Sequence, residues 1–274
     1  MTSAAAVEHV KKRLGLRRAG HGGTLDPIAT GVLPICIGEA TKLAAYLLAD
    51  DKAYDAVALL GVETDTLDRT GNVVATRGIE HVTRERIEAA LAARVGEHEQ
   101  IPPMFSAIKQ RGVRLYHRAR AGEHVEREPR RVRIDRFELL AWEPPHLSIA
   151  IECSKGTYVR SLIADLGNDL GCGAHMTELR RTRSGVFTLA MAHDLDRFDN
   201  VTLVAMTEAT RLPRVVAPAE HLKRIRDGVQ LAPEVLAIPP ENYERFQLLD
   251  EAHRLVAIAH VERERVVYDR VFAP

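Results

Sequence analysis

Apolar positions along the chain change their period several times, and each change marks an element. Between Val7 and Leu14 they fall at helical spacing, and the basic end of this short helix leads into a glycine-rich stretch. The spacing returns between Val32 and Leu48, after Gly38, and predicts a helical face of Leu43, Tyr46 and Leu47. From Tyr54 to Leu60 the pattern alternates, as in a strand, and Asp68, Gly71 and Asn72 supply turn residues before a second strand at Val73-Val74. Thr83 to Arg94 predicts a helix with Thr83 as N-cap; Arg86 stands where a capping box would carry an acid, so the cap comes without the box.

Ile101-Pro102-Pro103 cannot be helix interior or central strand, because proline has no backbone N–H to donate. A loop is predicted there, opening into an arginine-rich hairpin or lobe that ends near Pro129. Strands follow at Arg131 to Leu140 and Leu147 to Cys153. Tyr158 to Leu170 predicts a helix with Val159, Leu162, Ile163 and Leu166 on one side and Gly171 and Gly173 at its end. Val201 to Glu208 reads as a last helix, a proline-punctuated section runs from Pro213 to Pro240, and strands are predicted at Leu255 to Ala259 and Val266 to Val271. Strands and helices without a regular βαβ beat favour an α+β fold with a mixed sheet over a doubly wound nucleotide fold. The predicted domain boundary lies near residue 213, with a small β-rich region beyond it.

Bulk properties narrow the class. A 274-residue chain, 46% apolar and 28% charged, has room for a large domain and a small one. It contains no apolar run of membrane-spanning length and its start lacks a signal peptide's hydrophobic centre, so the expected location is cytoplasmic, away from membranes. Cys36, Cys153 and Cys172 are too few and scattered for a disulfide framework or a closed metal site, and read as buried small hydrophobes. The formal net charge is zero, yet the basic residues cluster: Lys11 to Arg18, Lys109 to Arg136, and Arg180 to Arg183. Such runs suit either RNA backbone contact or a solvated face.

One stretch carries the strongest chemical signal. In His21-Gly22-Gly23-Thr24-Leu25-Asp26-Pro27, two glycines allow close backbone approach, and Pro27 pushes Asp26 toward an extended conformation. Read alone, an Asp-Pro is in the first place a turn aspartate accepting backbone hydrogen bonds. The stretch continues through Ala29-Thr30-Gly31 to Gly38-Glu39-Ala40-Thr41-Lys42 and resembles the catalytic motif of TruB-type bacterial tRNA pseudouridine synthases. Four further stretches match in order: Asp51 to Tyr54, Ile101 to Lys109, Cys153 to Arg160, and Gly173 to Arg181.

The resemblance implies a pseudouridine synthase fold: a large mixed, mainly antiparallel central sheet flanked by helices. It further implies a catalytic domain over 1–213, with an RNA-clamping insertion near 101–127, and a short PUA-like RNA-binding domain over 214–274. The implied reaction isomerises uridine 55 in the T loop of tRNA, with the base flipped out of its stack. The tRNA T-arm stem-loop is the implied partner, with no metal, organic cofactor or obligate protein partner and a monomeric state.

By the same resemblance Asp26 is the essential carboxylate, acting as a nucleophile or as a base at the ribose C2' proton; the sequence does not choose between these routes. Arg160 is implied to pair with it, while Tyr54 stacks on the flipped base and is a candidate to help move the C5 proton. Tyr158 and Leu179 are implied to line the pocket, and His21 to touch the nucleotide or brace the RNA loop. Lys42, Lys109, Arg180 and Arg181 are the implied phosphate contacts. Family members carry a strand and a Lys-Pro motif before a Gly-Met-Thr-Ser segment whose end Met1-Thr2-Ser3 resembles, so a misplaced or truncated start is expected. The competing expectation is an RNA-binding or tRNA-folding protein without turnover because of that truncation. An unrelated aspartate hydrolase lacks a second carboxylate at an interpretable spacing.

Overall fold

The computed structural model describes residues 1–273 except 107, 108, 111, 115–117, 119–122, 124 and 198–200, and gives the backbone alone at 109, 110, 113, 114 and 242. Its strands are β1 (Ala19–His21), β2 (Thr30–Gly31), β3 (Ile35–Ile37), β4 (Lys52–Leu60), β5 (Val62–Thr64), β6 (Val73–Thr76), β7 (Gly96–Gln100), β8 (Lys109–Gln110), β9 (Val113–Arg114), β10 (Arg130–Glu143), β11 (His146–Cys153), β12 (Ala174–Ser184), β13 (Phe187–Thr188), β14 (Arg214–Val216), β15 (Phe246–Leu249), β16 (Leu255–Glu262) and β17 (Arg265–Val271). Its α-helices are α1 (Ser3–Arg13), α2 (Ala44–Ala49), α3 (Arg84–Ala93), α4 (Val159–Leu170) and α5 (Leu222–Arg226). The chain forms two units, Met1–Leu25 with Leu33–Ala49 and Gly185–Pro274, and Asp26–Val32 with Asp50–Ser184.

The second unit is built on strands in the order β12-β4-β11-β10-β7, each antiparallel to its neighbour, with β2 parallel to β12. Alternation along β4 buries Ala56, Ala58 and Leu60 on one face, and β11 adds Leu147, Ile149 and Ile151. These residues form one core with Ile87 and Leu91 of α3 and with Val159, Leu162, Ile163, Leu166 and Leu170 of α4. The five α4 side chains recur at i, i+3, i+4, i+7 and i+11, so one stripe faces the core. Their burial is worth about 10 kcal/mol gross at roughly 2 kcal/mol each, before conformational entropy is subtracted. Gly171, at φ 80°, ends the helix in the left-handed conformation. Thr83 caps α3 by accepting from the Arg86 amide at 3.4 Å.

In the first unit Thr2 caps α1, accepting from the Ala5 amide at 3.2 Å. Strands β14-β15-β16-β17 form a C-terminal sheet with its own core, including Phe246, Leu248, Val256 and Val266. A further core joins Cys36, Leu43 and Leu47 to Leu249, Leu255, Ile258 and Phe272. All three cysteines are buried.

Two sequence expectations need correction. The helix expected after Gly38 begins as a 3-10 turn, Gly38–Leu43, and only then becomes α2. The helix expected at Val201 to Glu208 is reduced to a 3-10 turn, Met206–Glu208. Leu203 and Val204 there are 67% and 40% exposed, so the apolar spacing meets no surface to bury against, and two turns of helix do not hold alone.

Candidate active site

Asp26 opens a tight turn. The Ala29 amide donates to the Asp26 carbonyl at 2.9 Å, with Pro27 at the second position, where its fixed φ suits the bend. Directly after the turn, β2 runs beside β12, Thr30 against Arg180 and Gly31 against Arg181. Gly31 has φ 94°, and a Cβ there would lie 2.2 Å from the Arg181 carbonyl oxygen, so only glycine lets the two backbones come this close. The Val32 amide then donates to the same carbonyl at 2.8 Å. The aspartate loop is thereby pinned to the sheet.

Arg160, in the first turn of α4, reaches this loop. Its Nε donates to Asp26 Oδ2 at 2.9 Å and its Nη2 to Oδ1 at 3.3 Å, a two-pronged contact that fixes the plane of the carboxylate. The Arg160 side chain is 5% exposed and that of Asp26 31%, so the acid keeps an open side while the base has none. Remaining guanidinium donors go to backbone: Nη1 to the Thr66 carbonyl at 3.0 Å and Nη2 to the Phe105 carbonyl at 2.8 Å.

A second carboxylate, absent from the sequence reading except as a turn residue, shares this arginine. Asp68 Oδ2 lies 3.6 Å from Arg160 Nη1, and Asp68 is buried. Its Oδ1 accepts from the Thr66 hydroxyl at 2.9 Å, the Thr70 amide at 2.9 Å and the Thr70 hydroxyl at 2.5 Å. Leu67, between Thr66 and Asp68, takes φ 62°, a left-handed conformation that costs a leucine about 1–2 kcal/mol. That kink lies between the Thr66 carbonyl and the Asp68 carboxylate, both of which engage Arg160. The Thr-x-Asp-x-Thr spacing was the available signal, but nothing local ties it to an arginine 92 positions later, by subtraction of the two residue numbers.

Tyr54 projects from β4 on the core face, opposite Arg181 of β12. Burial pushes its hydroxyl up to about 12, with the neighbouring Arg181 guanidinium working against that rise. Tyr158 occupies the N-cap position of α4. Its backbone is gripped by Gln100, whose Oε1 accepts from the Tyr158 amide at 2.8 Å and whose Nε2 donates to its carbonyl at 3.1 Å. Gln100 is buried and sets where the helix starts, two residues before Arg160; the polar run Gly96–Gln100 gave no sign of it. Leu179 belongs to the core cluster against which Ile28, Ala29 and Tyr54 pack.

The implied phosphate contacts separate. Arg180 is exposed and lines a cavity of about 560 Å³ with Thr30, Asp55, Arg69 and Glu178. Arg181 departs from expectation: at 1% exposure it is interior, because side chains alternate along β12, and its Nε donates to the Val32 carbonyl at 2.7 Å. Lys42, in the first unit, is committed to Glu39 and to the Val271 carbonyl at 2.8 Å, 5.7 Å from the Phe272 ring centre. His21, in the same unit, closes β1 opposite Ile35 and is half-buried. Lys109 lies on β8 by its backbone; its side chain, and much of the expected 101–127 insertion, fall outside the described residues.

The site is thus an aspartate on a glycine-shaped loop, held by a buried helix arginine beside an antiparallel sheet, and comparison with known proteins defines its class. Residues 11–159 match the model of the TruB family pseudouridylate synthase (N terminal domain), and residues 160–223 that of the tRNA pseudouridylate synthase B C-terminal domain. The chain belongs to the TruB family of pseudouridylate synthases. Among its curated relatives, tRNA pseudouridine synthase B of Pseudomonas syringae pv. syringae is 50% identical over 80% of this chain and 71% of its own length. The protein of the same description from Aromatoleum aromaticum is 49% identical over 87% and 78% respectively. Among solved structures, a chain of a Cbf5-Nop10-Gar1 complex matches with a TM-score of 0.75 at 28% identity, over 100% of this chain and 82% of that one.

Proposed function

We propose that the chain isomerises uridine 55 in the T loop of tRNA to pseudouridine, with Asp26 as the essential carboxylate, Arg160 as its partner and Tyr54 against the flipped base. The observation that carries this reading is the two-pronged Arg160 contact to Asp26, which fixes the carboxylate while leaving it partly exposed. Breaking the glycosidic bond and re-forming it at C5 demands a carboxylate of fixed orientation, and the buried guanidinium supplies that orientation without itself meeting solvent. Apolar side chains around it, Leu179 and Ile28 among them, keep water from an activated sugar. Tyr158 completes the wall of the pocket, and His21 contacts the nucleotide or braces the RNA loop. Arg180 and Lys109 meet phosphates, making affinity depend on salt.

The proposal extends to the whole chain: residues 1–213 as the catalytic domain and 214–274 as a short PUA-like RNA-binding domain, acting in the cytoplasm as a single subunit. The tRNA T arm as substrate draws support from the relatives' descriptions. The test is incubation of the purified chain, beside Asp26→Ala, with an unmodified T-arm stem-loop, followed by position-resolved detection of pseudouridine. Conversion of the T-loop uridine by the native chain alone is the expected result. A folded chain that binds the stem-loop without converting it, or an active Asp26→Ala, would overturn the reading.

A further inference from the structure

Arg181 is among the largest fully buried side chains of the protein, and it belongs neither to the Asp26–Arg160 pair nor to an exposed basic face. Burying a guanidinium is costly unless its donors are used, so the partners it has taken identify its task. One is the Val32 carbonyl, 2.7 Å from Nε, at the end of the aspartate loop. Another is the Tyr54 hydroxyl, brought opposite by the β4–β12 register and hydrogen-bonded to the guanidinium.

The chemistry of that second contact has a direction. A guanidinium has N–H donors and no acceptor, so the Tyr54 oxygen must accept, and the phenolic proton is turned away from Arg181. The Asp26 carboxylate is within electrostatic reach of the phenol. We infer that Arg181 is a positioning residue for the isomerisation: from β12 it orients the Tyr54 hydroxyl so that its proton is offered to the flipped base, and it clamps the Asp26 loop at Val32. This rests on the reading of Tyr54 as the residue facing the base. A leucine or methionine at 181 would fill the space but could neither orient the phenol nor hold the loop.

The test is a double-mutant cycle in the 274-residue chain with Arg181→Met, Tyr54→Phe and the combined variant, plus Arg181→Lys, which keeps a donor. Single-turnover rate on the T-arm stem-loop, affinity for that RNA, and urea unfolding are measured for each. Arg181→Met is expected to slow the rate by about tenfold or more with affinity changed by less than about twofold. On the Tyr54→Phe background the same change should slow it by only about threefold or less, the residue being the loop clamp. Arg181→Lys should recover part of the rate, and it carries the cycle if Arg181→Met does not fold. Equal fold-losses on both backgrounds would overturn the inference in favour of a purely structural arginine, as would weakened RNA affinity at an unchanged rate. Coupling of the two sites in urea unfolding without coupling in rate would also refute positioning. If the unsubstituted chain is inactive, the functional reading fails; if Tyr54→Phe alone is as fast as the unsubstituted chain, the inference about Arg181 fails while that reading can stand.

Discussion

Gly31→Ala is the sharpest perturbation of the site because it touches no catalytic side chain. The methyl group would sit 2.2 Å from the Arg181 carbonyl oxygen, on a backbone held at φ 94°. The positive φ alone costs an alanine about 1–2 kcal/mol. The overlap is with backbone, which cannot swing aside, so β2 has to lift from β12. Lifting sacrifices the Val32 amide bond to Arg181 and the Arg181 Nε bond to Val32, worth together about 2.5–4 kcal/mol. The total of about 3.5–6 kcal/mol should lower the unfolding midpoint by about 7–24 °C, at roughly 2–4 °C per kcal/mol for a chain of this size. Turnover should fall further than stability implies, because Asp26 is five residues upstream, and a displacement of about 1 Å costs about 100-fold in rate. Thermal unfolding and single-turnover pseudouridine formation are measured beside Gly38→Ala, where φ is 57° and nothing lies within 4 Å. The control should lose about 1 kcal/mol and keep its rate. A Gly31→Ala protein with unchanged midpoint and rate would refute the claim that the β2–β12 contact holds the aspartate loop.

Three further outcomes follow from the geometry. Asp68→Asn cannot satisfy both sides, since its amide nitrogen must face either Arg160 or the Thr70 amide; a loss of about 1–3 kcal/mol is expected in urea unfolding, and none would show that the buried contact contributes nothing. The folded-state value of about 12 for Tyr54 lies above the 10.0 of a free phenol, so the stabilisation is complete below pH 10 and is lost as pH rises through about 12. Tyr54→Phe should accordingly lose less stability than the unsubstituted chain between about pH 10 and pH 12, and parallel losses would contradict the burial of the hydroxyl. Thr83→Ala should destabilise α3 by about 0.5–1 kcal/mol, the low end for a cap whose bond is 3.4 Å long; a loss above about 2 kcal/mol in urea unfolding would mean that Thr83 does more than cap.

Legibility followed whether a residue's role depends on its neighbours in sequence or in space. Alternation along β4 and β11, the stripe of α4, its terminal glycine and the Thr83 cap were all readable, because period and cap chemistry are local. Failures came where local pattern and tertiary burial disagree. Val201 to Glu208 has helical spacing but no surface to cover. In contrast, β12 reads as polar, Ala-His-Met-Thr-Glu-Leu-Arg-Arg-Thr-Arg-Ser, yet it pairs with β4 along its length. Arg180 and Arg181 are adjacent and chemically identical, and one is exposed while the other is 1% exposed. Strand alternation requires that they differ, but which one points inward is set by the register against β4, a long-range pairing.

The sequence alone therefore determined strands β4, β10, β11, β16 and β17, helices α1, α3 and α4, the α+β class, the shaped loop around Asp26 and, through resemblance, the family. Tertiary structure alone decided that Asp68 and Gln100 serve Arg160, that Arg181 turns inward to Tyr54, and that Lys42 is spent on the C-terminal strand. The physical reason is the same in each case. A guanidinium or carboxylate belongs in water by default and takes an interior place only where distant backbone and charge arrive to satisfy it, which its neighbours in sequence do not show.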